Sequence, residues 1–296
     1  MFDPASRLPF SILGYPYRTL VPVTCPPAAN LRELAVPGAA LVWQVARSKA
    51  HRHLEAARAR PGGMALIVVL PPARELGLNG FDVLTLIDRC RPHSVLPFHL
   101  GPEPEDLAVV LRRPPEALSV EVSDYLTWRG IRVDGDTRRL LRRTVELSGE
   151  LSTVTGLSRA VYLSRRALGR RFLSRGLPAP SHWLQFGRVL RAAIQLQTTE
   201  DSLFTVSSDL GYPDGFALSN QMKRLTGVRP SLARQCLGWE WLVEAWLRQE
   251  QEAGGLHFDL VGSAAAAPRK VAEPLSTSNV PTWRGTPTVA AGRTDS

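Results

Sequence analysis

Strands alternating with helices as far as residue 120, helices alone from there to about residue 251, and a Gly/Ala/Pro/Ser/Thr-rich remainder predict an α/β domain followed by an all-α domain. Residues 1–37 are proline-rich, lack periodicity and read as an extended lead-in. From Gly38 the pattern changes. Residues 39–45 form a short apolar run that reads as a buried strand, and 48–60 read as a helix closed by Pro61, Gly62 and Gly63. Residues 64–70 are continuously apolar, with β-branched members, and Pro71 and Pro72 stop them. A helix over 81–90, a strand over 94–100 and a helix over 103–113 complete an α/β domain spanning 38–120. Helices of this length between apolar strands predict a small parallel sheet with helices on both faces.

After residue 120 the strand signals fade. Residues 121–137 read as a linker in which 122–128 look helical, and 137–147 read as the first helix of an all-α domain over 138–236. A C-terminal helix over 237–251 and a disordered tail over 252–296 follow, the tail carrying four consecutive alanines before Pro268. No internal repeat of solenoid type is visible.

Composition narrows the function. No run approaches the roughly 18 apolar residues of a membrane span. The start, Met1-Phe2-Asp3-Pro4, lacks the basic and apolar regions of a secretion signal. Cys25, Cys90 and Cys236 are too far apart for a metal site or a disulfide framework, so a reducing cytoplasm and no membrane are expected. The net charge is +9, and its distribution says more than its size. No acid occurs between Glu150 and Glu200, whereas Arg159, Arg165, Arg166, Arg170, Arg171, Arg175, Arg188 and Arg191 do. An acid-free arginine field suits a polyanion partner.

Two segments of the helical region share a grammar. Ser164 is a good N-cap, and the following helix buries Leu168 and Phe172 four residues apart. Arg165, Arg166, Gly169 and Arg170 then face solvent or a DNA groove. In the second segment Leu203, Val206 and Leu210 form one apolar stripe, Gly211 ends the helix in the left-handed conformation, and Tyr212 plugs the turn. Asp214 caps a further helix whose Leu218, Met222 and Leu225 face inward. Helix, glycine turn and capped helix make a helix-turn-helix unit.

This region resembles the DNA-binding domain of the AraC/XylS family of bacterial transcription regulators. Ser164, Leu168, Arg170 and Phe172 match the spacing of that family's first recognition helix. Residues 186–193 match its central helix, and Gly211, Tyr212, Asp214, Met222, Lys223, Arg224, Gly227 and Pro230 match its closing signature. The resemblance covers about a third of the chain and implies two helix-turn-helix units that bind duplex DNA in a sequence-specific manner. Four positions depart from the pattern: Ser207 replaces alanine, Met222 replaces phenylalanine, Asn220 stands where arginine is common, and Gly169 offers no side chain at a position often used for contact. Arg166 and Arg170 are the candidate base readers, since arginine bonds guanine bidentately, and Asn220 suits adenine. Arg165, Arg171, Lys223 and Arg224 are candidate phosphate contacts. Arg188 is read as either a DNA contact or a structural bridge between the two units.

The α/β domain loosely resembles a receiver domain, but its strand ends lack the acids of a phosphorylation pocket: Arg47 follows the first strand and Pro71-Pro72 the second. It is expected to act without phosphorylation, forming a homodimer or sensing an unknown small-molecule effector. No cofactor, metal or catalysis is expected. His51 and His53 beside Glu55 fall on different faces of a surface helix, and Cys90 reads as core. The alternative to a sequence-specific regulator is a non-specific nucleic-acid-binding or chromosome-associated protein using the same arginines.

Overall fold

A computed structural model of the chain describes residues 9–23, 31, 34–45, 50–72, 84–85, 87–97, 103–258 and 260, the side chains of 50–52 excepted. The expected tail beyond residue 260, the strand end at 98–100 and Cys25 lie outside these residues. The first half is built on a five-stranded sheet in the order β2-β1-β3-β4-β5. The strands are β1 (Phe10–Leu13), β2 (Leu20–Val23), β3 (Ala40–Gln44), β4 (Ala65–Val69) and β5 (Ser94–Leu96). β3, β4 and β5 run parallel, as the alternation with helices implies. The sheet as a whole is mixed, because β1 pairs antiparallel with both β2 and β3. It is therefore not the all-parallel sheet expected, and the segment read as a lead-in supplies the two extra strands. Four-residue strands, one of them holding Pro22, leave no alternation long enough to read. Pro22 is tolerated because β2 is an edge strand.

Residues alternate between the two faces along each strand. Leu41, Trp43, Leu66 and Val68 pack under Leu54 and Ala57 of α1 (Ala50–Arg58). Ala40, Val42, Ala65 and Ile67 pack against Leu107, Val110 and Leu111 of α2 (Pro104–Arg112). Both faces are covered, which explains the near-continuous apolar runs. The helix expected over 81–90 is described only in part, and its Ile87 and Cys90 lie in the α1-side core.

The second half is helical: α3 (Leu118–Trp128), α4 (Gly135–Leu147), α5 (Val154–Ala160), α6 (Arg165–Leu173), α7 (Pro180–Thr198), α8 (Leu203–Asp209), α9 (Gly215–Thr226), α10 (Pro230–Gln235) and α11 (Glu240–Glu252). α3 takes up residues 121–128 of the segment read as a linker, and its Val122, Tyr125 and Leu126 are buried. Trp246 of α11 stacks on Phe186 of α7 with centroids 4.2 Å apart and meets Trp183 edge-on at 4.4 Å.

α11 also fastens the helices to the sheet. Glu244 accepts from Arg129 Nη2 at 2.8 Å, Arg129 Nε at 2.9 Å and Tyr125 Oη at 2.9 Å. Tyr125 Oη in turn accepts from the Gly63 amide at 2.8 Å. Gly62 leaves the room this requires: a Cβ there would lie 2.5 Å from the Glu244 carboxyl carbon and 2.6 Å from Arg129 Cζ. One turn earlier on α11, Glu240 accepts from His93 Nδ1 at 2.8 Å, with Arg91 Nη1 at 3.7 Å. Burial alone would push the Glu240 carboxyl up, but His93 and Arg91 hold it down at about 2. Burial likewise pulls His93 down, yet the Glu240 charge and hydrogen bond outweigh it and raise the imidazole above 6.5. Buried charges so paired are costly to separate.

Candidate nucleic-acid interface

Two helix pairs, α5 with α6 and α8 with α9, obey the same local rules. All four helices are capped by a side-chain oxygen that accepts from the amide three residues on. The caps are Thr153 to Gly156, Ser164 to Ala167, Ser202 to Thr205 and Asp214 to Ala217. In the first helix of each pair a small buried residue, Ser158 or Ser207, donates its hydroxyl to the carbonyl three residues back, Thr155 or Phe204.

The turns match as well. Leu163 N donates to the Ser158 carbonyl at 3.0 Å, and Tyr212 N donates to the Ser207 carbonyl at 2.8 Å. Each closes a helix end around one left-handed residue. That residue is Gly211 at φ 67° in the second pair and Tyr162 at φ 55° in the first. A tyrosine there is strained where glycine is not. Leu163 and Tyr212, next in sequence, both pack against the helical core.

Beyond the turns, α6 buries Leu168 and Phe172, and α9 buries Leu218, Met222 and Leu225. Helical geometry then fixes the opposite faces. Arg166 and Arg170 share the outward face of α6, both exposed, with Leu173 beside them. A side chain at Gly169 would meet nothing within 4 Å. On α9 the outward stripe is Phe216, Asn220 and Lys223, with Arg224 at its edge. Arg165 is exposed at the first position of α6.

The arginine field is less free of acid in space than in sequence. Arg171 pairs with Asp136 of α4 at 3.0 Å, and Arg175 pairs with Asp134 at 2.8 Å. Both are solvent-facing pairs, which hold only weakly. Arg191 donates to the Val145 and Glu146 carbonyls and ties α7 to α4. Arg224 donates to Gln185 Oε1 on α7 at 2.8 Å. Arg188 donates to the Leu210 carbonyl and lies 4.4 Å from the centroid of the Tyr212 ring. Of its two readings, this contact is that of a structural residue holding the α8–α9 turn to α7. Burial pushes the Tyr212 hydroxyl up to about 12, against the pull of Arg188.

Residues 157–235 match the model of a family described as helix-turn-helix domain. This region is an AraC-type helix-turn-helix domain. DNA binding and transcription regulation are the tasks of that domain type. No curated protein and no solved structure matches the chain.

Three exposed aromatics of the AraC-type region escaped the reading of the sequence: Tyr162 at 94%, Phe204 at 70% and Phe216 at 74% exposure. Phe204 and Phe216 carried a usable signal, since they fall off the inward 203/206/210 and 218/222/225 stripes, whereas Tyr162 sits in a turn and carried none. Elsewhere, α1 departs from expectation. His53 is buried, with its ring 5.6 Å from that of Phe10, rather than solvated on a surface helix. Its position four residues before buried Ala57 puts it on the inward face, while Glu55 is exposed. The His51 side chain lies outside the described ones. Among the described residues no three His, Cys, Asp or Glu side chains cluster as metal ligands would, and no helix is long and apolar enough to cross a membrane. Burial pushes the Cys90 thiol up to about 11, which suits a core residue and not a nucleophile.

Proposed function

We propose that the chain is a sequence-specific regulator that reads duplex DNA through two helix-turn-helix units, with α6 and α9 as the recognition helices in successive stretches of major groove. The observation that carries this reading is the shared construction of the two pairs, each presenting a capped helix with an apolar inner face and an exposed polar or basic outer one. The 19 residues of α7 span about 28 Å, comparable to the ~34 Å of one DNA turn, and α7 touches both pairs. A rigid connector of that length favours a fixed register on one face of a duplex.

In this reading Arg166 and Arg170 bond guanine edges, and Asn220 bonds adenine. Arg165, Arg171, Lys223 and Arg224 contact phosphates and position the protein without specifying sequence. Arg171 would exchange Asp136 for phosphate, and Arg224 would exchange Gln185. The α/β half serves dimerisation or effector sensing without phosphorylation. Among the described residues, the ends of its parallel strands at Gln44, Val69 and Leu96 carry no carboxylate for a magnesium pocket.

The test is selection of bound duplexes from a random DNA library by the full chain near physiological salt, repeated with Arg166→Ala and Arg170→Ala. The expected result is one motif that loses information at particular guanines in each variant, with affinity falling by about 5- to 150-fold. Binding that tracks salt and ignores sequence would overturn the proposal in favour of a non-specific binder.

A further inference from the structure

Phe216 is a large apolar side chain on the outward stripe of α9, which otherwise presents Asn220 and Lys223. It is the second residue of α9, directly after Gly215 and two after the Asp214 cap, and it is 74% exposed. It lies on the side of α9 opposite Leu218, Met222 and Leu225, so it takes no part in holding the helix to the core. Asn220 follows one turn later on the same stripe, about 6 Å further along the axis, and Lys223 follows it. Phe216 therefore projects from the end of the helix that enters a major groove first. Phe204 is exposed to a similar degree but belongs to α8, the helix that crosses outside the groove in such units.

We infer that Phe216 is a specificity-determining residue that packs on the C5 methyl group of thymine, which makes α9 a reader of A·T pairs while α6 reads guanine. This inference rests on the proposal that α9 is a recognition helix. The chemistry admits few other partners in the groove. The major-groove edges of guanine, cytosine and adenine present only hydrogen-bonding groups, which a phenyl ring leaves unpaired, whereas thymine adds an apolar methyl beside its O4 acceptor. Asn220 supports the assignment. An asparagine pairs bidentately with adenine N6 and N7, and 6 Å is less than two steps of 3.4 Å, so both side chains reach the same or adjacent base pairs. A methyl read by Phe216 and an adenine edge read by Asn220 are two halves of one A·T preference. The basic Lys223 and Arg224 beyond them meet the backbone that flanks such a site.

The test begins with the motif selected by the full wild-type chain. Each thymine in the half bound by α9 is replaced by deoxyuridine, which removes the methyl alone, and affinity is measured for wild type and for Phe216→Ala. The expected result is a loss of about three- to tenfold at one or two thymines with wild type and none with Phe216→Ala. Placing 5-methylcytosine where cytosine has displaced such a thymine should recover part of the loss for wild type only. Melting temperature should be unchanged in Phe216→Ala, since the side chain is exposed. Uridine substitution that is neutral for wild type, or equally harmful to both proteins, overturns the assignment while leaving the two-helix reading intact. A change of oligomeric state in Phe216→Ala with neutral uridine substitution also overturns it, because the ring would then serve a protein contact. Failure to select any motif sinks the two-helix reading itself.

Discussion

The two helix pairs carry the same scaffold and different faces. Caps, small buried serine, left-handed turn residue and inward stripe correspond almost position by position, yet α6 shows Arg166, Arg170 and Leu173 where α9 shows Phe216, Asn220 and Lys223. Their supports differ too. α6 leans on α4 through the solvent-facing Arg171–Asp136 pair. α9 is gripped by α11, where Gln249, with its amide nitrogen turned toward them, donates to the Leu225 and Arg224 carbonyls at 2.9 Å and accepts from Gly227 N at 3.2 Å. Buried residues set the architecture, and the few side chains turned outward are free to set the chemistry. The second pair is also the one wired to the sheet, because α11 carries Glu240 and Glu244.

The largest expected effect separates inner from outer faces. Phe172→Ala removes a fully buried ring and should cost about 3–5 kcal/mol in chemical denaturation, whereas Phe216→Ala should stay within about 0.5 kcal/mol. Comparable losses for both would break the division into scaffold and reading face. The turns give a smaller contrast. Gly211→Ala places a Cβ in a left-handed residue near Arg188 and should destabilise by about 1–2 kcal/mol. Tyr162→Gly relieves the same conformation and should be neutral or stabilising by up to about 1 kcal/mol. If both variants shift stability the same way, the turns are not equivalent.

The smallest effect is a slope with pH. His93 is raised above 6.5 in the folded protein by Glu240, despite burial, so its stabilising contribution is complete below the unfolded value. That contribution falls as pH rises through the raised value, while Glu240, held at about 2, stays ionised throughout. Thermal melts should therefore show a decline as pH rises above about 6.5 that His93→Gln abolishes. An unchanged slope in the variant would remove His93 from the fastening of α11.

Much of the helical half was legible because its signals are local. Ser164 and Asp214 announce caps, Gly211 announces a turn, and the spacing of Leu168 to Phe172 or Leu218 to Met222 announces an inner face. What stayed hidden depends on partners distant in the chain. Glu244 meets Arg129 across 115 positions and Glu240 meets His93 across 147, so both acids look like solvated helix residues. Asp134 and Asp136 compensate arginines that seem unopposed in the sequence. Tyr162 hides a turn because nothing local marks a tyrosine as left-handed, and β1 and β2, at four residues each, are too short to declare a period. Of the named site residues, Arg166, Arg170 and Asn220 lie outward as their helical positions imply. The engagement of Arg171 and Arg224 needed the folded chain.

The most direct measurement of the central claim is the affinity of the full chain for its selected duplex relative to a scrambled duplex of equal length and composition, across a series of salt concentrations. Two groove-reading helices predict a preference of at least about 10³-fold that persists as salt rises and both affinities fall. A ratio near one at every salt concentration would contradict the account and leave only a basic surface that binds DNA without reading it.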